Sequence, residues 1–162
     1  MKQQLRFDKT TKIISAVVLL IPIALLFMPV SQNQGGIIIP IITSISLLAI
    51  FGIAWLLHPT SYEITNDYLL IHRPLSAIKI DLSNISKFQK TEAGFSLRLV
   101  GSGGLFGYYG LFTSSKLGRH HRYTGNNEDL VLIDAGKKKY LLSIHDELFY
   151  NELIKRTIKS EK

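Results

Sequence analysis

A glycine-rich segment, GSGGLFGYYGLFTSSKLGRHH at residues 101–121, carries the residue types that most readily suggest chemistry. Its glycines precede aromatic residues and a basic cluster, and glycine-rich loops can bind nucleotide phosphates. The dinucleotide pattern G-x-G-x-x-G fails because Phe106 stands where the third glycine belongs. A phosphate-binding P-loop fails because no glycine in the segment is followed by lysine. The glycines instead predict turns and sharp bends between strands, where side chains would block the backbone.

The adjacent pair His120 and His121 is the best candidate for metal ligands. Neighbouring residues on a strand point to opposite faces, so regular geometry prevents both from binding one ion. The other histidines match no zinc spacing, and the sequence contains neither H-E-x-x-H nor the serine-nucleophile pattern G-x-S-x-G. We therefore predict no metal site, no cofactor and no catalytic residues, and we do not expect an enzyme.

Two groups of side chains around the glycines are candidates for binding. The basic group would contact phosphate headgroups or an acidic partner, or else form a solvated strand face. The aromatic group would touch lipid or a partner chain, or else pack inside a small barrel. Lys137-Lys138-Lys139 is typical of a solvated hairpin tip, with headgroup contact as the alternative. The basic group consists of Lys116, Arg119, His120, His121 and Arg122, and the aromatic group of Phe106, Tyr108 and Tyr109.

Two apolar stretches without ionisable residues, 13–30 and 37–57, occupy the first third of the chain. As helices they would span roughly 27 to 31 Å, which matches a hydrocarbon core of about 30 Å. A buried core hairpin and a cleaved signal peptide are the alternatives, although a signal has a shorter apolar region of about 7 to 15 residues. The uncharged loop 31–36 is short. The pattern therefore predicts an antiparallel transmembrane hairpin at 13–57.

The charges that flank this hairpin predict its orientation. Residues 1–12, a predicted basic tail, carry four basic residues against Asp8, whereas the loop 31–36 carries no charge. By the positive-inside rule both termini are cytoplasmic. The sequence contains no cysteine, which agrees with a cytoplasmic domain at 58–162. We expect a multi-pass protein of the cell (inner or plasma) membrane.

From Ser61 onward the apolar pattern alternates in short runs separated by turn residues, which is typical of strands. Near the end, Phe149 and Leu153 lie on one face of a predicted amphipathic helix. Ser143 and Asp146 have the spacing of a capping-box-like helix start. The prediction is an α+β membrane protein: a helical hairpin, then a strongly bent antiparallel barrel or sandwich of about seven strands, capped by a C-terminal helix.

Two segments also carry a family resemblance. GSGGLFGYYGLFTSSKLG, followed by DLVLIDAGKKKYLLSIHDELFYNEL, resembles the bacterial pleckstrin-homology-like (PH-like) domain of small membrane proteins with an N-terminal helical hairpin. The resemblance covers roughly 62–158, and one departure is Ile144 where we expect proline. It implies a PH-like fold and a membrane-associated context, and it implies no catalytic residues.

These patterns predict a non-enzymatic, membrane-anchored binding or scaffold module that presents a protein- or lipid-contacting surface to the cytoplasm. The alternative is an accessory subunit of a larger membrane enzyme or transporter, with specificity carried by the hairpin. Ser46, Ala49 and Gly52 form a line of small residues that could seat a neighbouring helix. The expected partners are membrane lipids, through two spans, and a protein partner or a second copy. No recognisable module predicts nucleic-acid binding.

Overall fold

Two helices, α1 (Lys9–Leu26) and α2 (Ile38–Leu57), precede a domain of two β-sheets and a final helix, α3 (Glu147–Ser160). The computed structural model describes residues 1–26, 38–92 and 94–160. The predicted loop 31–36 and the end of the first predicted span, 27–30, lie outside the described residues. The first helix begins at Lys9, before the apolar stretch, because the Asp8 carboxylate accepts the Thr11 N–H at 2.7 Å and caps it.

The helices α1 and α2 pack against each other in antiparallel directions. Ser44 is buried between them, and its hydroxyl donates to the Pro22 carbonyl at 3.0 Å. On the exposed side of α2, Thr43 and Ser46 donate to carbonyls one turn back in their own helix. Within the described ranges, one helix is long and apolar enough to cross a membrane, and it is α2. A two-helix transmembrane hairpin therefore remains a proposal.

The first sheet has the order β1-β2-β3-β4, and all its neighbouring strands are antiparallel. Its strands are β1 (Lys2–Gln4), β2 (Ser61–Ile64), β3 (Tyr68–His72) and β4 (Ile78–Asp81). Residues 1–12, which we predicted as a basic tail, thus supply an edge strand and the start of α1. The buried Gln3 side chain explains this placement, since its amide donates to the Ser143 carbonyl at 3.1 Å and accepts the Asp146 N–H at 3.2 Å.

The second sheet has the order β5-β9-β10-β8-β7-β6. One pair in it is parallel, β8 with β10, whereas we predicted an antiparallel arrangement throughout. The part of the chain that the structure describes has nine strands after α2, compared with the prediction of about seven. The strands are β5 (Ile85–Thr91), β6 (Leu97–Gly104), β7 (Gly107–Ser114), β8 (Gly118–Thr124), β9 (Leu130–Ala135) and β10 (Lys138–Ser143).

The predicted C-terminal helix is confirmed, and α3 completes the core. Phe149 and Leu153 are fully buried and pack with apolar side chains from both sheets. The start of the helix differs from the prediction, because Ser143 is the last residue of β10. Asp146 itself caps the helix and accepts the N–H groups of Leu148 and Phe149 at 2.9 and 3.4 Å. The architecture is therefore α+β and PH-like, with two sheets and one closing helix.

Glycines allow the two strands of the β6–β7 hairpin to approach closely. Gly101 faces Gly110 in the ladder, with φ of +111° and +117° respectively. A Cβ atom added to Gly101 would lie 2.0 Å from the Tyr109 carbonyl oxygen, and one added to Gly110 would lie 2.2 Å from that of Val100. Any other residue at either position would force the strands apart.

Candidate functional site

A basic pocket of about 370 Å³ lies where β8 meets the turn between β9 and β10. Parallel pairing sets Tyr140 beside His121, so β8 and β10 both begin at the same end of the sheet. This geometry brings Lys137–Lys139, at the start of β10, next to the start of β8. The pocket is lined by the cationic side chains Arg119, Lys137, Lys138 and Lys139, and by one carboxylate, Asp134. The excess of positive charge favours an anionic ligand.

His120 forms a buried wall of the basic pocket, with 1 % of its surface exposed. Its Nδ1 donates to the Gly118 carbonyl at 2.9 Å, and its ring stacks on Phe112 with centroids 6.3 Å apart. Burial lowers the pKa of His120, and the positive charges of Arg122 and Lys139 lower it further, so the ring is uncharged near neutral pH. No described residue hydrogen-bonds to Nε2. A ligand that met this nitrogen would satisfy a buried polar atom.

His121 lines the same pocket from the opposite face of β8. Its ring stacks on Tyr140, with centroids 5.6 Å apart. Burial lowers the pKa of His121, and the charges of Lys138 and Arg119 add to the shift. Among the residues that the structure describes, no three histidine, aspartate or glutamate side chains group together in a way that could hold a metal ion. The two rings therefore contribute shape and neutral hydrogen-bonding atoms, and the lysines and Arg119 contribute charge.

Arg122 is buried and satisfied within the domain, although we predicted it as part of an exposed basic group. Its guanidinium donates to Thr124 Oγ1 at 3.0 Å and to the Asn126 carbonyl at 3.3 Å, and it also bonds Asn127 Oδ1. Tyr108 covers the charge, with its ring centroid 4.5 Å from the guanidinium carbon. Arg122 and Tyr108 therefore hold the end of β8 in place and leave no charge free for a ligand.

The other two predicted aromatic residues face the helices. The Phe106 N–H donates to Ser15 Oγ on α1 at 2.9 Å, and the Tyr109 hydroxyl donates to the Ala54 carbonyl on α2 at 2.7 Å. Tyr109 is 5 % exposed, so its side chain is buried within the protein, whereas contact with lipid or a partner chain was one of the two roles we considered for it. The glycine-rich hairpin thus attaches the β-domain to α1 and α2.

The structure therefore divides the predicted site residues among four places: the basic pocket, the β7–β8 turn, the buried contact between Arg122 and Tyr108, and the contacts of Phe106 and Tyr109 with the helices. Arg119, His120 and His121 meet in the basic pocket, whereas Lys116 is exposed in the turn between β7 and β8 and does not line it. Lys137–Lys139 line the pocket, whereas the sequence favoured a solvated hairpin tip, with headgroup contact as the alternative. No local signal could have assigned them, because the parallel pairing of β8 with β10 joins segments that are distant in sequence.

A second polar cleft, of about 460 Å³, separates the β2–β3 turn from α3. Its Arg156 is already engaged, with Glu152 at 2.6 Å and the Thr65 carbonyl at 3.0 Å. Lys155 and Lys159 face the cleft together with Asp67 and Glu152, so its charges nearly balance. This cleft is a weaker candidate for an anion than the basic pocket.

Comparison with known proteins places the β-domain in a family. The model of the family described as Bacterial PH domain matches residues 60–157, which include the nine strands after α2 and the basic pocket. No curated protein and no solved structure matches the chain. The matched range is more than half of the chain and confirms the resemblance carried by the glycine-rich segment and the entry to α3. The chain therefore belongs to the bacterial PH domain family, whose fold serves as a binding or scaffold module.

Proposed function

We propose that this protein is a non-enzymatic, membrane-anchored binding module. In this proposal α1 and α2 cross the bilayer as a hairpin, and the β-domain presents its basic pocket to an anionic group at the cytoplasmic face. The observation that carries the proposal is the pocket itself, in which four cationic side chains and the buried ring of His120 line one cavity. A phosphate or a carboxylate of the partner would fit this chemistry.

The pairing of β1 with β2 supports two membrane crossings. β1 precedes α1, β2 follows α2, and the two strands are hydrogen-bonded neighbours from Lys2↔Glu63 to Gln4↔Ser61. Both strands must therefore lie on the same side of any membrane, which requires an even number of crossings between them. Either no crossing or two crossings meet this requirement. In the proposal α2, which is long and apolar enough, crosses once, and the segment before it supplies the second crossing.

The distribution of charge supports a cytoplasmic β-domain. Lys2, Arg6, Lys9 and Lys12 precede the hairpin, and β1 places them on the same side as the β-domain. Lys and Arg residues in short segments next to membrane spans favour the cytoplasmic side of the membrane. The domain would then be held at the inner leaflet, where even weak contacts gain from the high effective concentration that anchoring provides.

The basic pocket lies away from the helices. Phe106, in the turn before β7, contacts α1, whereas Arg119 is paired with Thr113 near the other end of β7. Six to seven residues of extended strand separate these points, or roughly 20 Å. A site this far from the helices can bind a partner without rearrangement of the anchor.

Site-specific photo-crosslinking in intact cells tests the proposal. A benzophenone amino acid replaces Arg119, which lines the pocket, so that the three lysines keep the pocket basic, and a second variant carries the probe at Ser46 on α2. We expect the Arg119 probe to capture one defined protein or lipid species, and Lys138→Glu to reduce this capture several-fold because it reverses a pocket charge. Lys155→Glu, on α3, is the matched control and should leave capture unchanged. Absence of capture at Arg119, or equal loss in both variants, would contradict the proposed site.

The accessory-subunit alternative is favoured by the outer face of α2. Ser46, Ala49 and Gly52 are exposed, and a Cβ atom added to Gly52 would meet nothing within 4 Å among the described residues. The buried residues of α2 are Ser44, which bonds to α1, and Phe51, among the residues that the structure describes. This line of small residues is therefore free to seat another helix. If only the Ser46 probe captures a partner, the helices and not the basic pocket determine which partner is bound.

A further inference from the structure

We propose that a second pocket, at the junction between the helices and the β-domain, binds one anionic phospholipid. The pocket has a volume of about 370 Å³ and lies between the start of α1, the end of α2 and the β6–β7 turn. This inference rests on the proposed membrane anchoring, because a lipid reaches the pocket only if α1 and α2 lie in a bilayer.

Aromatic rings form the wall of this junction pocket. The ring of His58, which follows α2, has three aromatic neighbours at centroid distances of 6.0 to 6.1 Å. Phe7 comes from the segment before α1, Trp55 from α2 and Phe106 from the β6–β7 turn. Tryptophan and other amphipathic rings prefer the level of the lipid headgroups. Three separate parts of the chain thus build one interfacial cavity.

Polar groups at the start of α1 supply a place for a phosphate. Lys12 is exposed at the pocket, and Thr11 lines it with only 2 % of its surface exposed. The Thr11 hydroxyl has no hydrogen-bond partner among the described residues. A buried hydroxyl without a partner is uncommon, and a phosphate oxygen would accept its proton. Because the Asp8 carboxylate already caps the first turn of α1, the attraction for a phosphate comes from Lys12 and the Thr11 hydroxyl.

The apolar part of the pocket wall, along α1, favours a lipid over a soluble anion. Ala16 and Leu19 line the pocket one and two turns further along α1, and both are exposed. They continue the apolar surface away from Lys12, in the direction that an acyl chain would take from its headgroup. Charge at one end and a long apolar wall at the other match a phospholipid, whereas inorganic phosphate would leave the apolar wall uncovered.

Trp55 provides a direct measurement, because it is the single tryptophan of the chain and lines the junction pocket. The full chain is reconstituted in phosphatidylcholine vesicles that contain an equal fraction of brominated phosphatidylglycerol or of brominated phosphatidylcholine. Bromine quenches tryptophan fluorescence at contact. We expect brominated phosphatidylglycerol to occupy the site next to Trp55 about fivefold more strongly than brominated phosphatidylcholine at the same fraction. A factor of this size is the effect of one cation placed close to a lipid headgroup.

Two pairs of variants separate a built site from general attraction of anionic lipid. Lys12→Gln should abolish the preference, whereas Lys9→Gln, exposed on the same helix and outside the pocket lining, should retain it. Ala16→Phe should fill the pocket and abolish the preference without a change of charge, whereas the exposed Val17→Phe should not. Equal quenching by both lipids, or equal loss within either pair, would overturn the lipid site.

Flotation of the same vesicles distinguishes the two proposals. If the protein floats with the vesicles after a carbonate wash but shows no lipid preference, the anchoring stands and the lipid site is wrong. If the protein does not float with the vesicles, the anchoring fails and the lipid site fails with it.

Discussion

At the scale of single residues, the Tyr62 hydroxyl joins the two sheets. It lies on β2 in the first sheet, donates to the Tyr123 carbonyl on β8, and accepts the Ser143 N–H of β10 at 3.2 Å. Complete burial raises the pKa of Tyr62 to about 12, although the bonds to Ser143 oppose that shift. The hydroxyl is therefore protonated at all physiological pH values and holds both partners without competition from water.

We predict that Tyr62→Phe lowers the free energy of unfolding by about 1–3 kcal/mol, because two buried backbone groups lose a partner. Urea denaturation of the full chain in detergent micelles, followed by circular dichroism, measures the change. Tyr68→Phe is the matched control, since that ring is 40 % exposed. Equal denaturation midpoints for wild type and Tyr62→Phe would contradict the assigned role.

We also predict that His120 makes stability depend on pH. The unfolded imidazole takes up a proton near its ordinary pKa of 6.5, whereas burial keeps the folded pKa lower. The unfolded state therefore binds more protons as the pH falls, so the stabilisation present above the unfolded pKa is lost towards the folded pKa. The thermal midpoint should drop between about pH 7.5 and about pH 5.5, and His120→Gln should drop less. Parallel pH profiles would argue against His120.

At the scale of secondary-structure elements, the β6–β7 hairpin determines how the β-domain meets the helices. Close approach at Gly101 and Gly110 shapes the hairpin, and its turn and Tyr109 then bond to α1 and α2. The two glycines do not bond to the helices themselves, but they set the shape of the hairpin that does.

Gly101→Ala should destabilise this hairpin. The φ of +111° and a Cβ atom only 2.8 Å from the Gly110 Cα leave no room for a side chain, so we expect a loss of at least about 1–3 kcal/mol. The thermal midpoint of the full chain is the measurement. Gly94→Ala should be close to neutral, because a Cβ atom there meets nothing within 4 Å. Similar midpoints for the two variants would show that the close approach is not required.

At the scale of the whole molecule, the β1–β2 pairing ties the topology in the membrane to the fold. The chain has no native cysteine, so single cysteines report the location of each segment. We predict that Lys2→Cys and Lys159→Cys are labelled by a membrane-impermeant maleimide only after cell lysis, whereas Asn33→Cys, in the predicted loop, is labelled in intact cells.

The control for this experiment is blocking with a permeant maleimide, which should prevent later labelling at all three positions. Labelling of Lys2→Cys and Lys159→Cys from opposite sides would contradict both the hairpin and the pairing of β1 with β2. Labelling of both from outside would preserve the fold but reverse the proposed orientation, and the positive-inside argument would then be wrong.

The sequence by itself determined the elements that depend on local pattern. The run Tyr68–His72 corresponds to β3, in which Leu69 and Ile71 are buried, because every second side chain of a strand lies on the same face. The alternating run Phe95–Val100 supplies the first half of β6, although its apolar side chains are exposed. The rows containing Phe149 and Leu153 correspond to α3 because a helix repeats its buried face every three to four residues. The glycine-rich segment also carried enough family pattern to indicate a bacterial PH domain.

Only the tertiary structure decided which elements meet. Lys2–Gln4 has no alternating apolar pattern, yet it pairs with β2, because any backbone can supply the hydrogen bonds of an edge strand. Arg122 lies beside other cations in sequence, but Tyr108 and Asn127 bury its charge. Parallel pairing of β8 with β10 brings Lys138 to Arg119 in the basic pocket. These contacts join distant segments, and local periodicity reports which face of an element is buried but does not identify its partner.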